Sequence, residues 1–318
     1  MPGKLIIRLL SVWERILVKA KKITLPGFDR MPLYDVMVFF WRSIVDGALT
    51  TRASAIAFSF FVALFPAIIF LFTLIPYIPI ENFQNELFLL IEDMVPANTF
   101  IAIKETVLDI LTRQRGGLLS LGFLMAFVFS TNGFASMMSA FDASLRSFER
   151  RTWIGQRLIA LLLLAILSFL VTVAIALITS GQHVINYLAL NGYLRDQFTI
   201  FMLSVGKWVV IVFLFFIANS FLYYLAPAKK TKWRFVSAGG TLSTLLSVIT
   251  FIGFSYYINN FGQYNKLYGS IGTLLVILLL MYILALILLV GFELNASINE
   301  AIIQSKNRFM YRQPKEKK

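Results

Sequence analysis

The sequence predicts an all-α integral membrane protein, a bundle of about six transmembrane helices with amphipathic helices at the interfaces. Three observations carry that expectation. Of 318 residues, 58% are hydrophobic and only 14% charged, and the mean hydropathy of +0.78 lies above that of an ordinary soluble domain. Six runs are long and apolar enough to cross a hydrocarbon core about 30 Å thick, for which a helix needs roughly 20 residues. The basic residues gather on one side of those runs, the bias by which membrane proteins orient themselves.

Taken in order, residues 4 to 22 place Leu5, Leu9, Leu10, Trp13, Ile16 and Leu17 at helical spacing, with Lys4, Arg8, Arg15, Lys19 and Lys22 between them. This is the pattern of a basic helix lying on the inner leaflet, and it lacks the short apolar core and small-residue cleavage site of a signal peptide. Pro26, Gly27 and Pro32 end it. A second amphipathic stretch, Val36 to Val45 with Trp41 and Arg42, leads into the membrane.

The spans run over about 53–75, 118–141, 158–180, 201–225, 235–258 and 271–292. Only the connection at about 76–117 is long. In it Phe83, Leu87, Leu90 and Met94, then Phe100, Val107, Leu108 and Leu111, recur on helical faces around Pro96, which predicts two amphipathic helices on the outer surface. The organisation expected is therefore a basic amphipathic cytoplasmic segment over 1–50, a six-span domain over 51–295 and a basic cytoplasmic tail over 296–318.

Orientation follows from charge. Of the 29 Lys and Arg, only Lys104, Arg113, Arg115, Arg195 and Lys266 fall in outer connections if the N-terminus is inside, and Lys207 falls within span four. All others then face the cytoplasm, as does the C-terminus. The outer loop, with Glu81, Glu86, Glu92, Asp93, Glu105 and Asp109, is net negative. The formal charge of +13 is thus explained by topology and requires no nucleic acid. Clusters such as Lys229, Lys230, Lys232 and Arg234 suit anionic lipid head groups, the partners expected at the cytoplasmic face.

Composition also limits the chemistry. The absence of cysteine removes disulfides, thiolate metal sites and thiol nucleophiles. His183 is alone, so neither a metal nor a cofactor is expected, and no catalytic residue stands out.

Because polar groups are costly in hydrocarbon, those inside the spans are the candidates for function. In span two these are Ser130, Thr131, Asn132, Ser136 and Ser139, ending in Asp142 and Arg146 on one helical face. Span four supplies Asn219 and Ser220, and span five a scatter of Ser and Thr. Asn132, Ser136, Asp142, Arg146, Asn219 and Ser220 define a candidate polar path between spans two, four and five. Helix packing through small and hydroxyl residues is the competing account. Glu293, at the end of span six, is placed to form an interfacial ion pair with Arg52 or Arg157, or to sit at the interface as a snorkelling acid. Pro66 removes a backbone hydrogen bond within span one and is a candidate kink.

Several stretches occur together in a recognisable order: Arg52-Ala-Ser-Ala-Ile-Ala-Phe-Ser-Phe-Phe-Val-Ala-Leu-Phe-Pro66, Gly117-Leu-Leu-Ser-Leu-Gly-Phe123, the Glu149, Arg150 and Trp153 loop, Leu267-Tyr-Gly-Ser-Ile-Gly-Thr273, and Gly291-Phe-Glu-Leu-Asn-Ala296. Over roughly residues 40 to 300 the chain resembles the YihY family of bacterial inner-membrane proteins, also called BrkB-like. The resemblance implies a six-helix protein of the cytoplasmic membrane and names no substrate. Asp142 stands where the family typically has asparagine. A ribonuclease label attached to relatives finds little support in the scattered cytoplasmic acids Asp29, Asp35, Asp46, Asp142 and Glu149. The function expected is transport or translocation of a lipid or other amphiphile. The alternative is a non-catalytic scaffold of the cell envelope, and a membrane-bound nuclease ranks last. Oligomeric state is not legible in the sequence.

Overall fold

The computed structural model describes residues 21, 23–25, 27–78, 83–94, 97–145, 149, 151–190, 197–229, 235–260 and 270–312. The basic stretch 4–20, Arg146 and the segment Leu267-Tyr-Gly269 lie outside them. Among the described residues nine α-helices occur and no strand. They are α1 (Leu33–Asp46), α2 (Leu49–Leu74, continued by a 3-10 turn, Ile75–Tyr77), α3 (Phe83–Met94), α4 (Ala97–Thr112), α5 (Gly116–Ser144), α6 (Trp153–Leu190), α7 (Gln197–Leu225), α8 (Ala238–Asn260) and α9 (Ser270–Arg312).

Six of these helices, α2 and α5 to α9, are long and apolar enough to span a bilayer. Their apolar windows are at most 22% buried within the protein, and that of α7 is not buried at all. So much exposed Phe, Leu, Ile and Val is untenable in water and expected in lipid. Consecutive spans pack on one another in chain order, and α9 returns to pack on α2, which closes a ring of six helices. The tightest pair is α2 with α5: Phe60 and Phe134 meet edge to face, with ring centroids 5.2 Å apart, and a Cβ at Gly133 would lie 2.9 Å from the Phe60 ring. Pro66 is buried, and α2 runs through it as one helix.

The amphipathic elements lie at the two ends. The first, α1, buries Val36 against Leu294, Ile298 and Ala301 of α9 and leaves Trp41 exposed. Its last residue is followed by Gly47 and by Ala48, whose positive φ of 47° turns the chain sharply into α2. At the opposite end, α3 and α4 occupy the long connection as the sequence predicts. They are fastened by Gln84 and Gln114, whose side-chain amides donate to the carbonyls of Ile75 and Pro76, and by an ion pair between Arg115 and Asp109.

One boundary differs from expectation. Span six was expected to end at 292, whereas α9 has 43 residues, roughly 64 Å at 1.5 Å per residue, far more than a bilayer core requires. Leu294, Ile298, Ala301 and Ile302 carry the apolar stripe onward, and α1 covers it. Residues 296–312 therefore continue the helix.

Candidate functional site

The end that carries α1, Arg151 and the last turns of α9, termed here the basic end, holds an ion pair between spans. There Arg52 of α2 reaches Glu293 of α9 at 2.6 Å. The same guanidinium donates to the Ala140 carbonyl at 2.7 Å and to Ser144 Oγ at 2.8 Å, so one side chain ties α2, α5 and α9 together. The Glu293 side chain is only 2% exposed, and its Oε2, like Arg52 Nε, has no hydrogen-bond partner. Such a pair fixes geometry more than it adds stability, since two charges have been desolvated and each remains incompletely satisfied.

Arg157 is not the partner of Glu293. It donates to Thr131 Oγ1 at 2.9 Å and lies over the Trp153 ring, 5.6 Å from its centre. Of the two arginines the sequence offers, Arg52 is the one within reach; Arg157 lies in the first turns of α6 and faces α5.

Beside the Arg52–Glu293 pair lies a cavity of about 500 Å³. Its wall is contributed by the 27–31 turn, Leu145, the end of α7 and the inner face of α9. Three left-handed residues shape that turn: Gly27, Asp29 and Arg30, with φ of 85°, 53° and 62°. Asp29, Ser220, Ser237, Asn295 and Asn299 supply polar groups, and Met31, Tyr223, Phe292, Ile298 and Ile302 an apolar surface. Exposed Ser305 and Lys306 on its rim open it toward the basic end. Tyr223 and Phe292 also belong to an aromatic cluster with Phe141. The Phe141 and Phe292 rings stack at 4.3 Å, and Tyr223 meets them edge-on at 5.7 and 5.6 Å. Tyr223 Oη donates to the Leu288 carbonyl, 2.8 Å away. This cluster closes the cavity toward the middle of the bundle.

The sequence-derived polar path is distributed differently. Ser220 lines the cavity, and its buried Oγ has no hydrogen-bond partner. Asn219, next to it, is buried and donates to Thr244 Oγ1 of α8 at 2.9 Å. Asn132 and Ser136 are half-buried in α5 and are not part of the cavity wall. Asp142 accepts the Ala228 backbone N–H at 2.6 Å, while Arg146 lies outside the described residues. Of the candidate path residues, Ser220 is the one in this wall. The cavity lies among the 27–31 turn, Leu145 after α5, the end of α7, Ser237 before α8 and residues 292–306 of α9.

Two elements of the site escaped sequence reasoning. Arg151 donates to the carbonyls of Leu225, Ala226 and Pro227 at 2.9, 2.9 and 2.5 Å, satisfying the orphan carbonyls at the end of α7. Burial lowers its pKa from the usual arginine value and the Asp142 carboxylate pulls it back up. In sequence it was one of several loop arginines explained by topology. Asn295 accepts the Gly239 N–H at 2.8 Å and donates to Ser237 Oγ at 3.0 Å, while the Gly240 N–H donates to Ser237 Oγ. The start of α8 is therefore capped jointly by its own serine and by α9. Among the described residues no group of three or more His, Cys, Asp or Glu side chains is placed to hold a metal.

Fold and cavity together define a polytopic α-helical membrane protein with an open cavity, partly polar and partly apolar, at one end. The chain belongs to the virulence factor BrkB family, whose model matches residues 40–316. Among similar proteins, the ribonuclease-like protein YfkH of Bacillus subtilis is 28% identical over 250 residues, covering 79% of this chain and 90% of that one. A UPF0761 membrane protein of Tolumonas auensis is 24% identical over 270 residues, covering 82% and 84%. Another, from Idiomarina loihiensis, is 29% identical over 168 residues, covering 53% and 58%. No solved structure matches the chain.

Proposed function

We propose that this protein translocates a lipid or other amphiphile across the bacterial inner membrane, with both termini in the cytoplasm and the basic end facing it. The observation that carries the reading is the cavity of about 500 Å³. Its volume suits a ligand of small-molecule size, and its wall is polar on one side and apolar on the other. Exposed Ser305 and Lys306 stand at its rim, and Tyr223 and Phe292 in its wall pack on Phe141 behind them. A chamber open to one face and stopped by packed side chains is what one state of an alternating carrier requires. A scaffold has no need of it. A nuclease reading, prompted by the name of YfkH, lacks support here, because phosphodiester cleavage draws on convergent acids or histidines and the described residues bring none together.

The test is fluorescent-lipid movement in vesicles reconstituted with the full chain. Lipid initially confined to the inner leaflet should become accessible to an external quencher faster than in protein-free vesicles. Ser220→Trp, which fills the cavity, should return the rate to the protein-free value. Movement at the protein-free rate for every inner-membrane lipid class, with and without an imposed proton gradient, would contradict the proposal.

A further inference from the structure

Adjoining the large cavity is a second, smaller hollow of about 50 Å³. The two share Leu145, Ala296, Asn299 and Ile303. A cavity needs roughly 10–15 Å³ measured in this way to admit one water, so the hollow has room for a small polyatomic group. Its wall brings Arg42 of α1 and Lys229 after α7 to the hydroxyls of Ser144 and Ser297 and the amide of Asn299, with Glu300 the one acid. Ser144 is also held by Arg52, which adds a third cation behind the wall, itself paired with Glu293.

Ser297 is the independent sign of a ligand. A buried serine in a helix can return its hydroxyl to a carbonyl one turn back, as Ser243 does to Gly240; among the described residues Ser220, Ser247 and Ser297 do not, and of these three Ser297 is the one that lines the small hollow. Ser297 is 2% exposed, and its Oγ has no partner at all. A buried donor left unmet is costly, and the cost is removed by an acceptor placed in the hollow.

We infer that this hollow binds a phosphate group. Two cationic side chains, hydroxyl donors and an amide suit a phosphate's charge and its several acceptor oxygens. Where the phosphate belongs to a lipid head group, the adjoining cavity takes the apolar remainder, and that assignment alone rests on the translocation reading. A free phosphate or small phosphomonoester is the other source of the same chemistry.

The experiment uses the full chain purified in detergent, with native mass spectrometry for lipids and thermal protection for inorganic phosphate. Phosphatidylglycerol should remain bound where diacylglycerol, which lacks the phosphate, does not, and millimolar phosphate should compete. Arg42→Gln/Lys229→Gln should weaken binding about tenfold or more, and Ser297→Ala about two- to tenfold. The charge-matched control Lys317→Gln/Lys318→Gln should leave it unchanged. Protection by phosphate without lipid retention supports the site and assigns it to a free anion. Binding that falls equally in the control is diffuse electrostatics and overturns the site, as does absence of binding by either probe. Lipid binding with no lipid movement sinks translocation and leaves the site standing, whereas lipid movement unaltered in variants that also bind normally does the reverse.

Discussion

At the scale of the residue, the pair of Arg52 and Glu293 shows how one contact organises three helices. Glu293→Ala leaves a guanidinium that is largely buried without its counter-charge, and the loss of one member of a buried pair costs about 3–5 kcal/mol. The thermal unfolding midpoint in detergent should fall accordingly. The double variant Arg52→Met/Glu293→Met should recover much of the loss, because two well-packed apolar side chains of similar volume need no desolvation. A double variant as unstable as the sum of the singles would show that the two side chains are not coupled and would contradict the tie. Glu293 was legible in the sequence as a carboxylate at the end of an apolar run with an arginine needed near it. Which arginine was not legible, since Arg52 and Arg157 have the same chemistry and only the ring of helices decides which one α9 reaches. Of the hydroxyls, Ser220 was legible beside Asn219 as a candidate, whereas Ser297 lies past the expected end of span six and was not; what marks Ser297 is an unpartnered Oγ in the wall of a hollow.

Among the elements, the helices themselves were the most legible feature, because length and apolarity are dictated by the bilayer. Their ends were not, where apolar content fades but packing continues, as in α9 beyond residue 292. The crossing of α8 and α9 is set by two glycines. A Cβ on Gly239 would lie 1.9 Å from the Gly291 carbonyl oxygen, and one on Gly291 would lie 2.5 Å from Tyr223 Oη and 2.6 Å from the Gly239 carbonyl oxygen. Gly291→Ala should therefore separate the helices and lower stability by about 1–3 kcal/mol, while Gly253→Ala, with open space around it, should have little effect. Thermal unfolding of the two variants side by side checks the contrast. The end of α7 depends on Arg151 in the same way. Arg151→Ala leaves three carbonyls without their donor, and trypsin should cut after Lys229 faster in the variant than in the wild type. Equal cleavage would mean that Asp142, through the Ala228 N–H, holds this connection unaided.

For the whole molecule, the ring of six spans explains why the polar residues read as a path in sequence become separate features in space. Asn132 and Asn219 lie on helices that are not principal neighbours, so the amide of Asn219 finds Thr244 on the adjacent α8 instead. The chamber arises from the way α1 and the 27–31 turn cap the extended α9, a long-range arrangement that no local pattern announces. The orientation proposed above rests on the sum of charges, not on any local contact. Reporter fusions should place residues 97–112 outside and residue 229 inside. The lack of native cysteine makes the chamber directly measurable, since a single introduced thiol has no background. In inverted membrane vesicles, a membrane-impermeant maleimide should label Ser220→Cys readily and Ser247→Cys, buried among packed side chains, hardly at all. A Ser220→Cys protein that reacts only from the opposite face, or from neither, would contradict the proposal that the cavity opens to the cytoplasm and with it the account of how this molecule works.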